Sequence, residues 1–590
     1  MTPSSFRPAW VALGFLTAAA HLGLVFYGLV PNLVARPLHM ALLLPWVFLW
    51  PAETRQGALL GAVATIVGVA ICVWIALNHR LLRDQYGFLE GQGQVVMAIV
   101  LLGLVIEGAR RMIGWPLPAV AALTLAYGLW GHLLPGEFGH AGTPLPSFLG
   151  TLTIAEGGVW GSLTGVSVGV VAIFVIFGAV LNAGEAGQGF MNVAAAAAGR
   201  LKGGAAKVSV LSSALFGSIS GSASANVAST GAVTLPAMTG LGYPRRLAAA
   251  TEAVASSGGQ IMPPLMGAGA FVMVELTGTP YTQIIAAALL PAILYFWAVW
   301  SGINAYASRY NLRGIAEDAR PSRRDVLVTS AFFAVPFAVL LWLMFGAGFT
   351  PQYAAAISVL VGAAALFADG RRGPDLRQGL ARMAEASIGA GRQIAMIGSI
   401  ILCASIVIGV LGITGLGVKL TSVIVGSSGG TLWPSLLLTA LACLILGMEV
   451  PTTAAYVICV SVAGPALTAL GLQPLLAHLF VFWFALLSTI TPPVCGAVFI
   501  AAGMVQENWL RVAGTAMALG VGLYVIPLGM VANPAVIALQ TAPGAALLAF
   551  GKIGAGLACL SWALIGRAGL PLRAGLGVAG VALVFLLPVR

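Results

Sequence analysis

Charge is what this chain lacks. Only 8% of its 590 residues are Asp, Glu, Lys or Arg, against about 25% in an ordinary soluble domain. Hydrophobic residues make up 59%, and the mean hydropathy is +0.99. A soluble globule of this length cannot hide so much apolar surface, whereas lipid accepts it. Cysteine is sparse too. Cys72, Cys403, Cys443, Cys459, Cys495 and Cys559 are scattered through apolar runs, which suits membrane helices and not a disulfide framework or a metal cage. No GxxxxGK[ST] occurs, so the chain does not hydrolyse ATP through a P-loop. His21, His39, His79, His132, His140 and His478 form no HExxH, and the two GxSxG strings, Gly165–Gly169 and Gly426–Gly430, lie in or beside apolar runs and not on the strand-to-helix turn that a nucleophile elbow needs. Without a nucleophile–base pair or metal constellation the sequence does not read as an enzyme.

Long apolar runs are what it has. Trp10–Leu29, Gly57–Leu77, Gly161–Leu181, Val326–Met344 and Gly514–Val531 each come near the roughly 20 residues that cross a hydrocarbon core. The first is too long for the core of a secretory signal, and Val30-Pro31 is not a small-residue cleavage site, so it reads as the first span. The net charge of +11 sits in short loops. That orients spans in a lipid bilayer and does not imply nucleic acid. Arg309–Arg324 and Asp369–Arg392 are the most basic loops and read as cytoplasmic, whereas Pro135–Trp160 has no Lys or Arg and reads as external. About five spans precede Pro135, and Ala545–Ile565 and Leu570–Leu587 close the chain. The expectation is a multi-pass protein of the bacterial cell inner membrane.

A shift of 229 residues reveals an internal repeat. Ala225 falls on Ala454, Val233 on Val462, Pro236-Ala237 on Pro465-Ala466 and Thr239 on Thr468. The register then carries Pro263-Pro264 onto Pro492-Pro493 and Gly267-Ala268 onto Gly496-Ala497. The first copy, Gly204–Thr239, has basic loops on both sides (Lys202/Lys207 and Arg245/Arg246), as a re-entrant hairpin entered from the cytoplasm would. Five spans separate it from the second copy, Thr431–Leu470, which places that copy's ends outside. The fold class expected is therefore an all-α polytopic membrane protein with an inverted repeat, two re-entrant hairpins and two interrupted helices. The division expected is an N-terminal bundle over 1–115, a larger unit over 116–534 (repeat one about 159–305, repeat two about 393–534) and additional helices over 535–590.

Each copy contains two unusual parts. One is a polar or broken hairpin, from Gly217 through Ser222, Ser224 and Asn226 to Gly231 in the first copy and from Gly447 to Thr452-Thr453 in the second. The other is an interrupted helix, Ser256–Pro264 with Gly258, Gly259, Gln260 and Pro263, matched by Ser488-Thr489-Ile490-Thr491-Pro492-Pro493. A double proline removes donors and clashes with the preceding turn. The freed backbone survives at membrane depth only when buried in protein or lining a wet cavity. Unwound carbonyls with Ser/Thr hydroxyls suit a small cation, and half-helix N-termini suit an anionic substrate. Small residues packing helices closely account for Gly217–Gly221 equally well. Among the acids, Glu107 and Glu275 sit near span ends and read as interfacial. Glu252 and Glu449 lie beside the broken segments, where structural hydrogen bonding and ion or proton coupling stand level. Trp433, Trp483 and Trp509 read as interfacial or packing residues.

These segments resemble the tripartite ATP-independent periplasmic (TRAP) transporters. FGSISGSASANVASTGAVTLPAM (Phe216–Met238), GYPRRLAAATEAVASSGGQIMPPLMGAGAFVMVE (Gly242–Glu275), LGMEVPTTAAYVI (Leu446–Ile458) and AHLFVFWFALLSTITPPV (Ala477–Val494) are similar to the large membrane subunit, over roughly Val159 to Pro534. The N-terminal spans match a fused small subunit in position and hydropathy, and the combination is most similar to the fused TAXI-type permeases. The resemblance implies an elevator mechanism and a periplasmic substrate-binding protein as partner. It also implies a small organic anion such as a carboxylate as cargo, and sodium ions for coupling, with proton coupling as the variant. Carried onto this chain, Ser222, Ser224, Asn226, Gly258, Gly259, Gln260 and Pro263 form one ion or substrate half-site. Thr452, Thr453, Ser488, Thr489, Thr491 and Pro492 form the other. Apart from a transported sodium ion no metal or other cofactor is expected. Glu449 stands where the family has a small neutral residue, which brings in the proton as a second coupling ion. The competing reading within transport is a binding-protein-independent dicarboxylate symporter or antiporter. An intramembrane hydrolase competes from another class.

Overall fold

A sequence of apolar runs punctuated by Gly and Pro folds as those signals dictate, into helices that end where the punctuation falls. The computed structural model describes residues 7–50, 54–264, 266–369, 373–427, 429–447, 451–493 and 495–587, and helix dominates them. Among the described residues, nine helices are long and apolar enough to cross a membrane. Five helices precede Pro135: Arg7–Tyr27, Asn32–Phe48, Arg55–Leu77, Gly91–Ile113 and Pro116–Trp130, with the short His79–Asp84 between the third and fourth. The chain divides into two compact units, Met1–Gly184 with Ala334–Gly430 and Ser461–Ala466, and Glu185–Phe333 with Thr431–Val460 and Leu467–Arg590.

The first unit is built on one helix, Leu376–Thr414, of 39 residues, about 58 Å at 1.5 Å per residue. It packs against Arg7–Tyr27, Asn32–Phe48, Gly91–Ile113, Pro116–Trp130 and Ser162–Ala183. Glycines allow that many neighbours. Gly391 lies against the Trp46 ring, Gly398 against Leu43 and Gly409 against the Gly157–Gly158 backbone. In lipid no hydrophobic force drives helices together, so close van der Waals contact at small residues has to. Pro135–Trp160 is more structured than an external loop: it forms the helix Leu145–Thr153, and Phe148, Leu152 and Trp160 are buried. The Trp160 indole N–H donates to the Thr153 carbonyl at 2.6 Å. Glu107 is not a lone interfacial acid, for it is paired with Arg110 at 2.6 Å and Arg111 at 2.8 Å.

In the second unit, Gly204–Ser220 and Ala223–Gly240 run antiparallel about a turn at Gly221-Ser222. The pairing of Ser213 with Thr230 and of Gly217 with Asn226 fixes that direction. Gly221 sits at φ +62°, where a side chain is strained. Ser222 caps the second arm by accepting from the Ala225 N–H at 3.3 Å. Next comes a helix broken in the middle: Arg245–Gly258, a 3₁₀ turn over Gly259–Ile261, then Gly269–Thr277. Tyr281–Tyr310 follows it and packs on Pro543–Ile565, where the Trp297 indole donates to the Gly554 carbonyl at 2.9 Å.

The 229-residue register recurs in the helix starts to within two residues. Ala186, Gly204, Ala223, Arg245, Gly269 and Tyr281 open helices whose counterparts open at Leu416, Leu432, Thr452, Pro474, Gly496 and Trp509. The second broken helix is Pro474–Leu486, a 3₁₀ turn over Leu487–Thr489, then Gly496–Val505. The bonds Pro263-Pro264 and Pro492-Pro493 are both cis. Trp483 is fully buried and not interfacial, edge-on to Tyr295. Gly391→Leu drives a side chain into the Trp46 ring, an overpacking that costs about 1–3 kcal/mol. We expect a lower thermal midpoint of the detergent-purified protein, with Gly389→Leu, at a position open to a Cβ, as the near-neutral control.

Candidate functional site

The breaks at Gly259–Ala268 and Ile490–Cys495 free backbone groups that need partners, and the second unit gathers polar side chains around them. Gln260 is the connecting residue. Its Nε2 donates to the Gly221 carbonyl at the tip of the first hairpin, 3.0 Å away. Its Oε1 accepts from the Thr452 hydroxyl at 3.0 Å. One side chain therefore ties the first broken helix to the first hairpin and to the helix of the second copy that starts at Thr452. A second tie joins the two broken helices, where the Thr489 hydroxyl donates to Ser257 Oγ at 2.8 Å.

Asn226 is fully buried on the second arm of the first hairpin. Its Nδ2 donates to the Ser213 carbonyl at 2.9 Å and to the Ser256 carbonyl at 3.4 Å, and its Oδ1 accepts from Thr230 at 3.3 Å. The amide thus latches both arms of the hairpin to the broken helix. Gly217 and Gly259 make this possible. A Cβ on Gly259 would lie 2.5 Å from the Gly217 Cα and 2.9 Å from Asn226 Nδ2, so the backbones touch with only glycine between them. Gly258 lies against the Tyr295 ring.

Glu252 is the buried acid of the site, with no exposed surface. Hydroxyls surround it. Ser209 donates to Oε2 at 2.8 Å, Thr230 and Thr234 make short bonds to Oε1 and Oε2, Ser256 lies at 3.3 Å and Ser213 at 3.5 Å. Two of these hydroxyls have an alternative acceptor, the Asn226 carbonyl for Thr230 at 2.8 Å and the Thr230 carbonyl for Thr234 at 3.0 Å. A hydroxyl both donates and accepts. When Glu252 is ionised the hydroxyls turn toward it. When it is protonated, Thr230 or Thr234 turns to its carbonyl and accepts the carboxyl hydrogen. The cage satisfies either state. A cavity of about 340 Å³ lined by Gly231, Leu235, Pro236, Thr239, Arg245 and Met504 ends at Gly231, where a Cβ would lie 3.2 Å from Glu252 Cγ.

Of the predicted site residues, Ser222, Asn226, Gly258, Gly259, Gln260, Pro263, Thr452, Ser488 and Thr489 lie in or beside this network. Thr491 bonds instead to the Tyr524 hydroxyl at 2.7 Å. Ser488 Oγ donates to the Ala485 carbonyl at 3.0 Å and faces Gly447. Ser224 is exposed, Thr453 and Pro492 are half-buried, and these three are not drawn into the cluster. Glu449 lies outside the described residues. Sequence reasoning missed the cage hydroxyls Ser209, Ser213, Thr230 and Thr234, although a signal existed. Ser209/Ser213, Thr230/Thr234 and Glu252/Ser256 are three i, i+4 polar pairs on three successive helices, which puts each pair on one helix face.

The comparisons with known proteins agree with this architecture. The family model described as "Tripartite ATP-independent periplasmic transporter, DctM component" matches residues 96–545, extending past Val159–Pro534 at both ends. An uncharacterized protein of Sinorhizobium fredii, y4mL, is 31% identical over 196 residues, 32% of this chain and 44% of that relative, so the chain spans less than half of it. The isethionate TRAP transporter permease protein DctMQ of Oleidesulfovibrio alaskensis is 25% identical over 450 residues, 73% of this chain and 67% of the relative. The C4-dicarboxylate TRAP transporter large permease protein DctM of Pseudomonas aeruginosa is 25% identical over 341 residues, 57% of this chain and 76% of the relative. With the family matched over most of its length and nine helices fit to cross a membrane, the chain belongs to the DctM-component family of tripartite ATP-independent periplasmic transporters and is a multi-pass protein of the bacterial inner membrane.

Proposed function

We propose that the chain is the membrane permease of a secondary transporter, importing a small organic anion handed over by a periplasmic substrate-binding protein and driven by a cation gradient. The observation that carries this reading is the paired set of broken elements linked through Gln260, because discontinuous helices at corresponding positions of a repeat are where transporters hold cargo and coupling ions. The names of two relatives, an isethionate permease and a C4-dicarboxylate permease, support an organic anion, a carboxylate before others. In this proposal the hairpins and broken helices move as an elevator, residues 1–115 act as a fused small subunit of the TAXI type, 116–534 as the large subunit and 535–590 as added helices. Ser222, Ser224, Asn226 and Gln260 on one side and Thr452, Thr453, Ser488 and Thr491 on the other contribute oxygen ligands to sodium or contacts to the anion. Glu252 and Glu449 are the candidates for carrying a proton.

Proteoliposomes holding the purified permease, a cognate binding protein and a panel of radiolabelled C4-dicarboxylates test the reading. Uptake that requires both the binding protein and an inward sodium gradient is expected. Equal uptake without the binding protein would favour the independent carrier. Asn226→Ala and Thr453→Ala should each abolish sodium-dependent uptake with normal expression, and full uptake in both discards the site assignment.

The coupling ion is separable in the same preparation. Glu252→Gln keeps a neutral group that can both donate to and accept from the hydroxyl cage, so the stability should stay within about 1 kcal/mol of the parent, read as a nearly unchanged thermal midpoint. If Glu252 carries a proton, uptake driven by a pH gradient in choline medium disappears in Glu252→Gln, while sodium-driven uptake does not.

A further inference from the structure

The first unit contains a buried cluster that the transport reading does not use. His21 on Arg7–Tyr27 and His39 on Asn32–Phe48 are 1% and 2% exposed, and their rings stand edge to face, 4.9 Å apart. His21 Nδ1 lies 2.7 Å from the Thr17 carbonyl, His21 Nε2 lies 2.7 Å from His39 Nδ1, and His39 Nε2 lies 3.1 Å from Ser167 Oγ. Ser167 opens a π-helical stretch, Ser167–Val171, inside the helix Ser162–Ala183. Such bulges occur frequently at functional sites. The chain of bonds links three helices, and Gly398 on a fourth lets that helix close on the pair, since a Cβ there would lie 3.3 Å from His39 Nε2.

Donor and acceptor rules fix the protons of this chain. A carbonyl only accepts, so His21 Nδ1 carries hydrogen. With His21 neutral, its Nε2 is a lone pair, and His39 Nδ1–H donates to it. His39 Nε2 is then also a lone pair, and Ser167 donates to that. Every bond is made in this one arrangement. An added proton has one place to go, His39 Nε2, where Ser167 turns its oxygen to accept. A second added proton would sit on His21 Nε2 and oppose the His39 Nδ1–H across 2.7 Å. We propose that His21 and His39 form a single-proton site that takes up one proton, and only one, from the Ser167 end.

The surroundings suit a site that holds its charge by hydrogen bonds. The only carboxylates on the helices packed around the pair are Glu385, bonded to Arg7, and Glu107, bonded to Arg110 and Arg111. Arg36, one turn before His39, is held by Glu156 at 3.3 Å and by the Trp160 carbonyl. Arg392 lies over the Trp50 ring at 5.0 Å. Arg55, Arg377 and Arg382, with Cys72, Cys403, Tyr27 and Tyr353, are the remaining titratable groups on these helices. Ser162–Ala183 brings none. His21 and His39 precede the segment matched by the family, and the inference does not rest on the transport reading.

The test is a proton count. Purified full-length permease is titrated between about pH 5 and 8, where imidazoles exchange protons, and the curve of the His21→Gln/His39→Gln double variant is subtracted. A difference of one proton is expected. No difference means a permanently neutral clasp, and a difference of two means independent imidazoles. Either result overturns the proposal. Ser167→Ala, which leaves both imidazoles in place, keeps the count at one. It removes a bond that is charge-assisted only in the protonated state, so half-protonation should move to lower pH by about one unit. An unmoved midpoint removes Ser167 and the assigned entry end.

Discussion

A backbone amide or carbonyl released from a helix inside a membrane has no water to turn to, and everything in the second unit follows from how two such releases are satisfied. The double prolines at 263–264 and 492–493 forbid a continuous helix, yet the chain on both sides is apolar enough to enter lipid. The Tyr281 hydroxyl resolves part of the problem by donating to the Pro264 carbonyl inside the first break, and Gln260 braces that break by bonding a hairpin-tip carbonyl and a hydroxyl of the other copy at once. Asn226 does the same for two carbonyls on facing helices. An amide side chain fits this role because it donates at one end and accepts at the other. Glycine is required where these ties draw backbones together, as at Gly217 and Gly259.

Much of this was legible before any coordinates. The repeat could be read because its markers, two prolines in a row and paired glycines, have a fixed backbone meaning wherever they occur, and the helix starts follow that register to within two residues. The hydroxyl cage was harder. Ser and Thr in a membrane helix are ordinary packing residues, and their i, i+4 spacing marks a face without saying what the face meets. Only the fold brings Ser209, Thr230 and Thr234 to Glu252. The His21–His39 bond was not legible at all, since the two residues lie on different helices and helical periodicity relates no positions across the break at Pro31. The packing within Pro135–Trp160 was not legible either, because the absence of Lys and Arg reports the side of a membrane and says nothing about burial.

Two kinds of neighbour hold the half-buried cations Lys419, Lys552 and Arg573 and the buried groups Glu252, His21 and His39, and they differ in one property. Lys419 donates to the Gly139 carbonyl at 2.6 Å, Lys552 to the Leu587 carbonyl and Asn533 Oδ1, and Arg573 to the Ala563 and Leu564 carbonyls. A carbonyl can only accept. It stabilises a donor that stays charged and gives nothing to a group that has lost its proton. Glu252 is held by hydroxyls, which reverse their role at the cost of a rotation, so its two protonation states are satisfied alike. The histidine pair has one neighbour of each kind, the Thr17 carbonyl at one end and the Ser167 hydroxyl at the other. The carbonyl pins the His21 proton, and the hydroxyl leaves the far end of His39 free to gain one. For Glu252 and the histidine pair, the neighbour that can turn around is what allows a proton to come and go.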